Sequence, residues 1–381
     1  MKALMKFIKK EIVLWIALAL AVLSMFVVKP DSRYLSYVDF RTLAILFCLM
    51  AVVAGFKRQG VFELLAEKLL SVAGSVRGMV TVLVLLCFFM SMVITNDVAL
   101  ITFVPFTIAV MGRTEAGIKE RWLLKTVVMQ TIAANLGSML TPIGNPQNLY
   151  LFGLSDLGVG EFVWLMLPYT LLSLLLLLGW IFCASRRDKK TVDKAAESEG
   201  TEPGKKRGSG SAERMIAYSV LAVISLLAVG HIIPYWVAFV LVLAYTLCRD
   251  RKVLSQVDYA LLCTFAALFV LIGNIGRIPV FRDFLMRMTE GREIAVSVAA
   301  SQIMSNVPAA ILLSGFTNRI EGLIVGTNLG GLGTMIASMA SLISFKYIAA
   351  AGERRGRYFL LFTAANLVFL AVLSAAAYLM R

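Results

Sequence analysis

Thr141-Pro142-Ile143-Gly144-Asn145-Pro146-Gln147-Asn148 interrupts an apolar segment that spans residues 122–152. About 20 apolar residues are enough for a helix to cross the hydrocarbon core of a membrane. Two prolines and a glycine inside such a segment remove backbone donors and loosen the helix. Backbone that is not helical persists at membrane depth only where protein or a water-filled cavity satisfies it. The stretch therefore predicts a broken helix lining a site, although a proline kink packed against a neighbouring helix would also fit.

The composition places this broken helix in a polytopic membrane protein. The 381 residues are 59% hydrophobic, with a mean hydropathy of +0.83, and a soluble fold could not bury so much apolar surface. The net charge of +14 falls in loops between apolar segments, where it sets topology and faces anionic headgroups, so we expect no nucleic-acid partner. The five cysteines form no CxxC pair, which predicts neither a disulfide nor a transition-metal site.

The apolar segments predict an all-α fold with about nine membrane crossings. The basic start at Lys2, Lys6, Lys9 and Lys10 precedes a long apolar run with no small-residue cleavage site, so we expect an uncleaved first span. Continuous spans are expected at residues 12–28, 43–55, 161–184, 215–230, 235–247, 259–275 and 358–380. Residues 56–70 and 277–292 are typical of amphipathic helices that lie in the interface.

Two further apolar segments, residues 79–111 and 293–316, are too short for two full spans and carry polar residues in the middle. They predict re-entrant helical hairpins, with two short spans joined by a tight turn as the alternative. Residues 122–152 and 322–345 each predict a discontinuous transmembrane helix.

The two halves of the chain repeat each other. Matching positions in the two hairpins are Ser91, Asn96, Ala99 and Ile101 against Ser301, Asn306, Ala309 and Ile311. In the broken helices, Asn135, Leu136, Gly137 and Thr141 match Asn328, Leu329, Gly330 and Thr334, and Asn145 and Asn148 fall opposite Ser338 and Ser341. Matched pieces in the same order indicate a duplication. We therefore expect a first repeat at residues 1–185, a solvated cytoplasmic linker at 186–214 and a second repeat at 215–381.

The order of the spans predicts that the repeats are inverted. An odd number of crossings separates the span at 43–55 from its partner at 259–275, and inverted repeats with broken helices are typical of secondary transporters. With the N-terminus in the cytoplasm and the C-terminus outside, nine of the 37 Lys and Arg residues lie outside and the other 28 inside. This bias agrees with the positive-inside rule, although the arginines of residues 277–292 fit it least well.

The hairpin tips and helix breaks carry Asn, Thr or Ser and neither Lys nor Arg. Helix N-termini at such breaks suit an anion, whereas unwound carbonyls and side-chain oxygens suit Na⁺. We expect a small anion to be bound by Thr95, Asn96, Thr141, Gly144, Asn145, Asn148, Ser305, Asn306, Thr334 and Ser338. We expect a coupling cation at Asn96, Asp97, Asn135, Thr141 and Asn145.

Asp97 is the one acidic residue that we place deep in an apolar segment, and an intramembrane carboxylate has a functional role by default. It can ligate Na⁺, exchange a proton, or cap the hairpin tip by accepting backbone N–H bonds. Val307 stands at the same place in the second tip, so any charged role is asymmetric. Asn135 and Asn328 can alternatively form interhelical hydrogen bonds.

At these residues the chain resembles the ion transporter superfamily, and within it the citrate-transporter-like permeases, which include divalent-anion:sodium symporters and arsenite-permease-like proteins. The symporters carry Ser-Asn-Thr at each hairpin tip. Here the tips read Thr95-Asn96-Asp97 and Ser305-Asn306-Val307, and the first is more like the arsenite-permease and sodium/proton-antiporter branches. The resemblance implies that Na⁺ and substrate meet at residues 141–148. It also implies a homodimer, a fixed scaffold domain, a moving domain that carries the hairpins, and elevator-type alternating access.

The expected function is secondary active transport of a small anion across the cytoplasmic (inner) membrane, coupled to Na⁺ or H⁺, with no cofactor beyond that Na⁺. Divalent anions, carboxylates and oxyanions are the expected substrates. Na⁺/H⁺ antiport and arsenite-type efflux are the alternatives within transport, and a channel or membrane sensor is the alternative class. We expect no enzymatic activity, because Asp97 alone does not supply paired carboxylates. Direct ATP coupling is not expected either, since the sequence has no GxxxxGK[ST] loop.

Overall fold

The computed structural model describes residues 11–71, 73–185 and 210–380, and its regular elements are all helices. The first half contains α1 (Ile12–Val27), α2 (Tyr34–Tyr37), α3 (Phe40–Arg58), α4 (Val61–Leu70), α5 (Val76–Ile94), α6 (Asn96–Gly112), α7 (Ala116–Ser138), α8 (Pro146–Leu154) and α9 (Val159–Ser185). The second half contains α10 (Gly210–Val229), α11 (Tyr235–Arg249), α12 (Arg251–Leu254), α13 (Tyr259–Gly276), α14 (Pro279–Thr289), α15 (Glu293–Met304), α16 (Asn306–Ser314), α17 (Ile320–Gly330), α18 (Met339–Ala350) and α19 (Arg355–Leu379).

Six helices, α3, α5, α9, α10, α13 and α19, are long and apolar enough to cross a membrane. The prediction of an all-α polytopic membrane protein is therefore confirmed. The basic residues Lys2 to Lys10 and the linker residues 186–209 lie outside the described residues. The predicted linker is too long, since residues 210–214 already belong to α10.

The first interfacial helix begins later than predicted. Residues 56–58 continue α3, and α4 begins only at Val61, after Gly60 has turned the chain with a φ of 69°. Glycine adopts this left-handed conformation without the penalty that a Cβ brings. Phe62 and Ala66 of α4 are buried, so this helix is packed onto the protein by its apolar face.

Both hairpins turn at a single residue with a positive φ. Thr95 joins α5 to α6 with a φ of 68°, and Ser305 joins α15 to α16 with a φ of 74°. The first hairpin is longer than predicted, because α5 alone has 19 residues and a length of about 28 Å. Length alone therefore does not decide whether α5 and α6 form a re-entrant hairpin or two full membrane spans. The re-entrant hairpin and the count of nine crossings both stay predictions.

Both predicted helix breaks are present. Residues 139–145 separate α7 from α8, and residues 331–338 separate α17 from α18. Pro146 occupies the first turn of α8, where a missing N–H costs nothing. The second break forms without proline, and Gly333 adopts a φ of 102° within it. The two breaks therefore have different local causes, although they occupy matching positions.

Small residues let each hairpin pack closely against a broken helix. A Cβ on Gly137 would lie 2.0 Å from the Phe88 carbonyl oxygen, and one on Gly330 would lie 2.5 Å from Oγ of Ser301. Gly137 and Gly330 are matched residues, so α5 meets α7 as α15 meets α17. The same close packing thus occurs at matched positions in both halves, whereas the repeat and its inverted orientation in the membrane stay predictions.

A second buried cluster adjoins the core of hairpins and broken helices, and α3 contributes residues to both. It is formed mainly by α3, α10 and α11, and Tyr218 sits in it against Gly55, where no Cβ could fit. Arg58 forms an ion pair with Asp250, which also accepts a hydrogen bond of 3.1 Å from the Tyr218 hydroxyl. α10 and α11 therefore pack against one face of α3, beside a polar contact between Arg58, Asp250 and Tyr218.

Candidate functional site

Each hairpin tip is bonded to the helix break of its own half. The backbone N–H of Asn96 donates to the Gly144 carbonyl at 3.1 Å, and that of Asn306 donates to the Ala337 carbonyl at 2.9 Å. Gly144 and Ala337 are matched positions in the two breaks. A Cβ on Gly144 would lie 2.0 Å from the Ser138 carbonyl oxygen, so glycine is required there. In both halves the structure therefore brings the hairpin tip and the helix break together.

Strain marks the same position in both tips. Thr95 and Ser305 have positive φ values with ψ near 150°, a combination that is sparsely populated by residues other than glycine. Such backbone costs of order 1–3 kcal/mol and persists where surrounding contacts fix it. Strained residues of this kind cluster at functional sites. Their recurrence at two matched positions makes the tips the strongest candidates for a functional role.

Asn135 and Asn328 join the two halves through their side chains. Oδ1 of Asn135 accepts from Nδ2 of Asn96 at 2.9 Å and from Oγ of Ser338 at 3.0 Å. Oδ1 of Asn328 accepts from Nδ2 of Asn145 at 3.3 Å. Asn145 and Ser338 are matched residues and are the N-caps of α8 and α18, so the last residue of each break bonds to the asparagine of the other half. These side chains are all buried.

The two matched threonines contact the hairpins. Oγ1 of Thr141 donates to the Met92 carbonyl at 2.6 Å, and Oγ1 of Thr334 donates to the Gln302 carbonyl at 3.2 Å. Thr334 is also solvent-exposed. The structure therefore separates these hydroxyls from the hydrogen-bonded side chains of Asn96, Asn135, Asn145, Asn328 and Ser338, here called the asparagine cluster. The two hydroxyls instead attach each break to its hairpin.

Gln302 is a residue of the site that sequence reasoning missed. Its Nε2 donates to the carbonyls of Gly330 and Leu332, each at 3.0 Å, and its Oε1 accepts from the Thr334 N–H at 2.9 Å. One side chain thus satisfies three backbone groups of the break that has no proline. The signal in the sequence was the one amide side chain of α15, a mostly apolar helix.

Four buried polar atoms near the breaks have no hydrogen-bond partner. They are Oδ1 of Asp97, Oδ1 of Asn145, Nε2 of Gln147 and Oγ of Ser341. Buried polar groups are normally satisfied, so each of these needs an explanation, and an absent ion or ligand is one. Oδ1 of Asp97 accepts no backbone N–H, which weighs against a capping role for this oxygen. Among the described residues, no group of three His, Cys, Asp or Glu side chains could hold a metal ion.

Eight helix ends converge on this region. The N-terminal ends of α6, α8, α16 and α18 begin at the tips and breaks, and the C-terminal ends of α5, α7, α15 and α17 finish there. N-terminal ends carry partial positive charge and free N–H groups, and C-terminal ends carry partial negative charge and free carbonyls. The region can therefore bind an anion and a cation at the same time without a basic side chain.

The far end of α8 contacts the loop between α10 and α11. The His231 ring stacks on Phe152 with centroids 5.9 Å apart, and Nη2 of Arg41 donates to the Val229 carbonyl at 3.2 Å. Partial burial and the nearby Arg41 charge lower the pKa of His231, which disfavours the charged form of this ring.

Comparison with known proteins agrees with this architecture. A family model described as "Citrate transporter" matches residues 4–318. The chain belongs to the citrate transporter family. An uncharacterized transporter of Methanocaldococcus jannaschii is 29% identical over 91% of this chain and 92% of its own length. The inner membrane protein YbiR of Escherichia coli is 28% identical over 87% and 86%, and the magnetosome protein MamN of Magnetospirillum gryphiswaldense is 27% identical over 66% and 58%. This citrate transporter family member is thus a multi-pass membrane transporter.

Proposed function

We propose that this transporter moves a small carboxylate or oxyanion, divalent in the simplest case, by secondary active transport coupled to Na⁺ or H⁺. The observation that carries the proposal is the meeting of four helix N-termini and four helix C-termini around the Asn135 and Asn328 side chains. Aligned N–H groups favour an anion, and helix C-termini with amide oxygens favour a cation. Anion and coupling ion would thus neutralise each other within one site.

The unpartnered oxygens favour the first half as the place of the coupling cation. Oδ1 of Asp97 and Oδ1 of Asn145 both lie in that half, and both are buried without a hydrogen-bond partner. A hard cation such as Na⁺ prefers oxygen ligands of these kinds. In the second half, Val307 and Ser338 replace these two residues, and Ser338 is already bonded to Asn135.

Elevator-type movement is the proposed mode of transport. The second buried cluster, in which α10 and α11 pack against α3, supports a scaffold of these helices beside the core of hairpins and broken helices. We further propose a homodimer in the cytoplasmic membrane, with the N-terminus inside and the C-terminus outside. The name of the Escherichia coli relative, an inner membrane protein, supports that location. The proposed activity involves no enzymatic step.

Cation/proton exchange is a second candidate, and Asp97 is the observation that favours it. A carboxylate with an unpartnered buried oxygen at a strained tip can carry a proton or a cation alternately. In this case no anion would be moved, and cation gradients would drive proton movement in vesicles without substrate.

Proteoliposome uptake tests these proposals directly. Purified protein would be assayed with dicarboxylates, citrate, sulfate, phosphate and arsenite, under imposed Na⁺ or proton gradients. We expect accumulation of at least one anion above its equilibrium level when one of the gradients is present. Movement limited to the anion's own gradient would indicate a channel and contradict the proposal. Proton flux driven by a cation gradient, with no anion accumulated, would support exchange instead.

A further inference from the structure

A crevice of about 340 Å³ opens between the start of α7 and the start of α19, away from the asparagine cluster. Charged and apolar side chains both line it. The charged residues are Glu120, Arg121, Lys125 and Arg357, and the apolar residues are Leu124, Leu360 and Leu361.

The basic side chains of this crevice outnumber its acids. Three cationic side chains and one carboxylate line it. The carboxylate, Glu120, lies 3.7 Å from Nη2 of Arg354, which is outside the lining. Lys119 and Glu353 form a second ion pair of 3.1 Å between the same two elements. These pairs join the start of α7 to the segment before α19 and offset the nearby acids, so the crevice keeps a positive potential.

Aromatic and aliphatic groups lie next to the basic side chains of the crevice. Nζ of Lys125 lies 5.3 Å from the centroid of the buried Trp122 ring, which holds the ammonium beside an apolar wall. Leu360 is 71% exposed, and the apolar side chains Leu367 and Val368 continue this exposed strip along α19. In a membrane protein such a strip faces acyl chains. A charged head and an apolar tail would therefore both find partners here.

We propose that this crevice binds an anionic phospholipid, with the phosphate at Lys125 and Arg357 and an acyl chain along Leu360. Basic side chains next to apolar surface at a membrane boundary match this ligand in charge and polarity. A soluble anion would use the bases but leave the apolar strip without a role. This proposal does not depend on which substrate the transporter moves.

A cavity elsewhere in the described part of the chain supplies a contrast. It lies at the start of α17 and α9, and it is lined by four acidic side chains, Asp156, Glu161, Glu293 and Glu321, and one basic side chain, Arg319. An anionic headgroup would be repelled there. Selective lipid binding is thus expected at one end of the helix bundle only, on electrostatic grounds.

Native mass spectrometry of delipidated protein, with dioleoyl phosphatidylglycerol or dioleoyl phosphatidylcholine added back, tests the proposal. We expect wild-type protein to retain phosphatidylglycerol on the order of tenfold better than phosphatidylcholine. The double variant Lys125→Gln/Arg357→Gln should lose this preference. Lys125→Arg/Arg357→Lys, which keeps both charges, should retain it. The matched control is Arg251→Gln/Lys252→Gln, which removes two exposed bases of α12 and should change nothing.

The proposal would be overturned if the Lys125→Gln/Arg357→Gln protein kept its lipid preference. It would also be overturned if the α12 control lost that preference to the same extent. A further contradicting result is displacement of phosphatidylglycerol by inorganic phosphate or glycerophosphoglycerol at matched concentration, which would identify a site for soluble anions. Thermal unfolding of each variant, measured without added lipid, distinguishes a lost binding site from a lost fold.

Discussion

Asn328 donates a hydrogen bond of 2.6 Å to Oδ1 of Asn148, and this contact joins the second half of the chain to the first. The same asparagine accepts from Asn145 through its own Oδ1. The Asn328 side chain of α17 therefore bonds to Asn145 and to Asn148, which lie on either side of Pro146, the first residue of α8. All three asparagines are buried, so these hydrogen bonds are shielded from solvent.

Asn328→Ala should destabilise the protein by about 1–3 kcal/mol, since it leaves polar atoms of Asn145 and Asn148 buried and unpaired. Thermal unfolding in detergent measures the effect. The matched control is Asn366→Ala, which removes a buried asparagine whose Nδ2 donates to the Phe362 carbonyl of its own helix. An equal loss of stability in both variants would mean that the hydrogen bonds between the halves stabilise the protein no more than a bond within one helix does.

Gly137→Ala should disrupt the packing of α7 against α5. The new Cβ would lie 2.0 Å from the Phe88 carbonyl oxygen, and backbone cannot move aside as a flexible side chain can. Overpacking of this kind costs about 1–3 kcal/mol or more. In α9, Gly179→Ala meets no neighbouring atom and should be neutral, which makes it the control. Unfolding temperature and the yield of monodisperse protein would show the difference. An unchanged Gly137→Ala protein would contradict the close approach of α5 and α7.

The breaks and tips were predictable from the sequence because prolines, glycines and polar residues stand out in apolar segments. Asn135 and Asn328 were also visible, through the repeat. Their partners were not, since a bond such as that from Ser338 to Asn135 joins residues 203 positions apart. The bracing role of Gln302 escaped notice for the same reason. Sequence patterns identify which residues are unusual in a membrane, whereas the pairing of their donors and acceptors depends on how the helices pack.

Asn145→Ser should make the first break resemble the second, where Ser338 stands at the matching position. The substitution removes the unpartnered Oδ1, which we propose as a cation ligand. The Na⁺ or proton concentration needed for half-maximal uptake should rise by about five- to tenfold, which corresponds to the loss of roughly 1 kcal/mol. Ser338→Ala serves as the comparison and should affect the coupling ion less. A stronger effect of Ser338→Ala would move the proposed cation site to the second half.

Asp97→Asn keeps the size of the side chain at the first hairpin tip and removes its charge. If Oδ1 of Asp97 binds the coupling ion, the dependence of uptake on that ion should weaken by about tenfold or disappear, while protein yield and unfolding temperature stay near wild type. Uptake measured across a series of Na⁺ concentrations and pH values identifies the ion, because loss of Na⁺ dependence and loss of pH dependence are separate outcomes. Asp283→Asn is the control, since Asp283 is an exposed acid paired with Arg282 at 3.2 Å. Ion dependence identical to wild type in the Asp97→Asn protein would remove Asp97 from the coupling mechanism and leave the amide and carbonyl oxygens of the first break as the ligands.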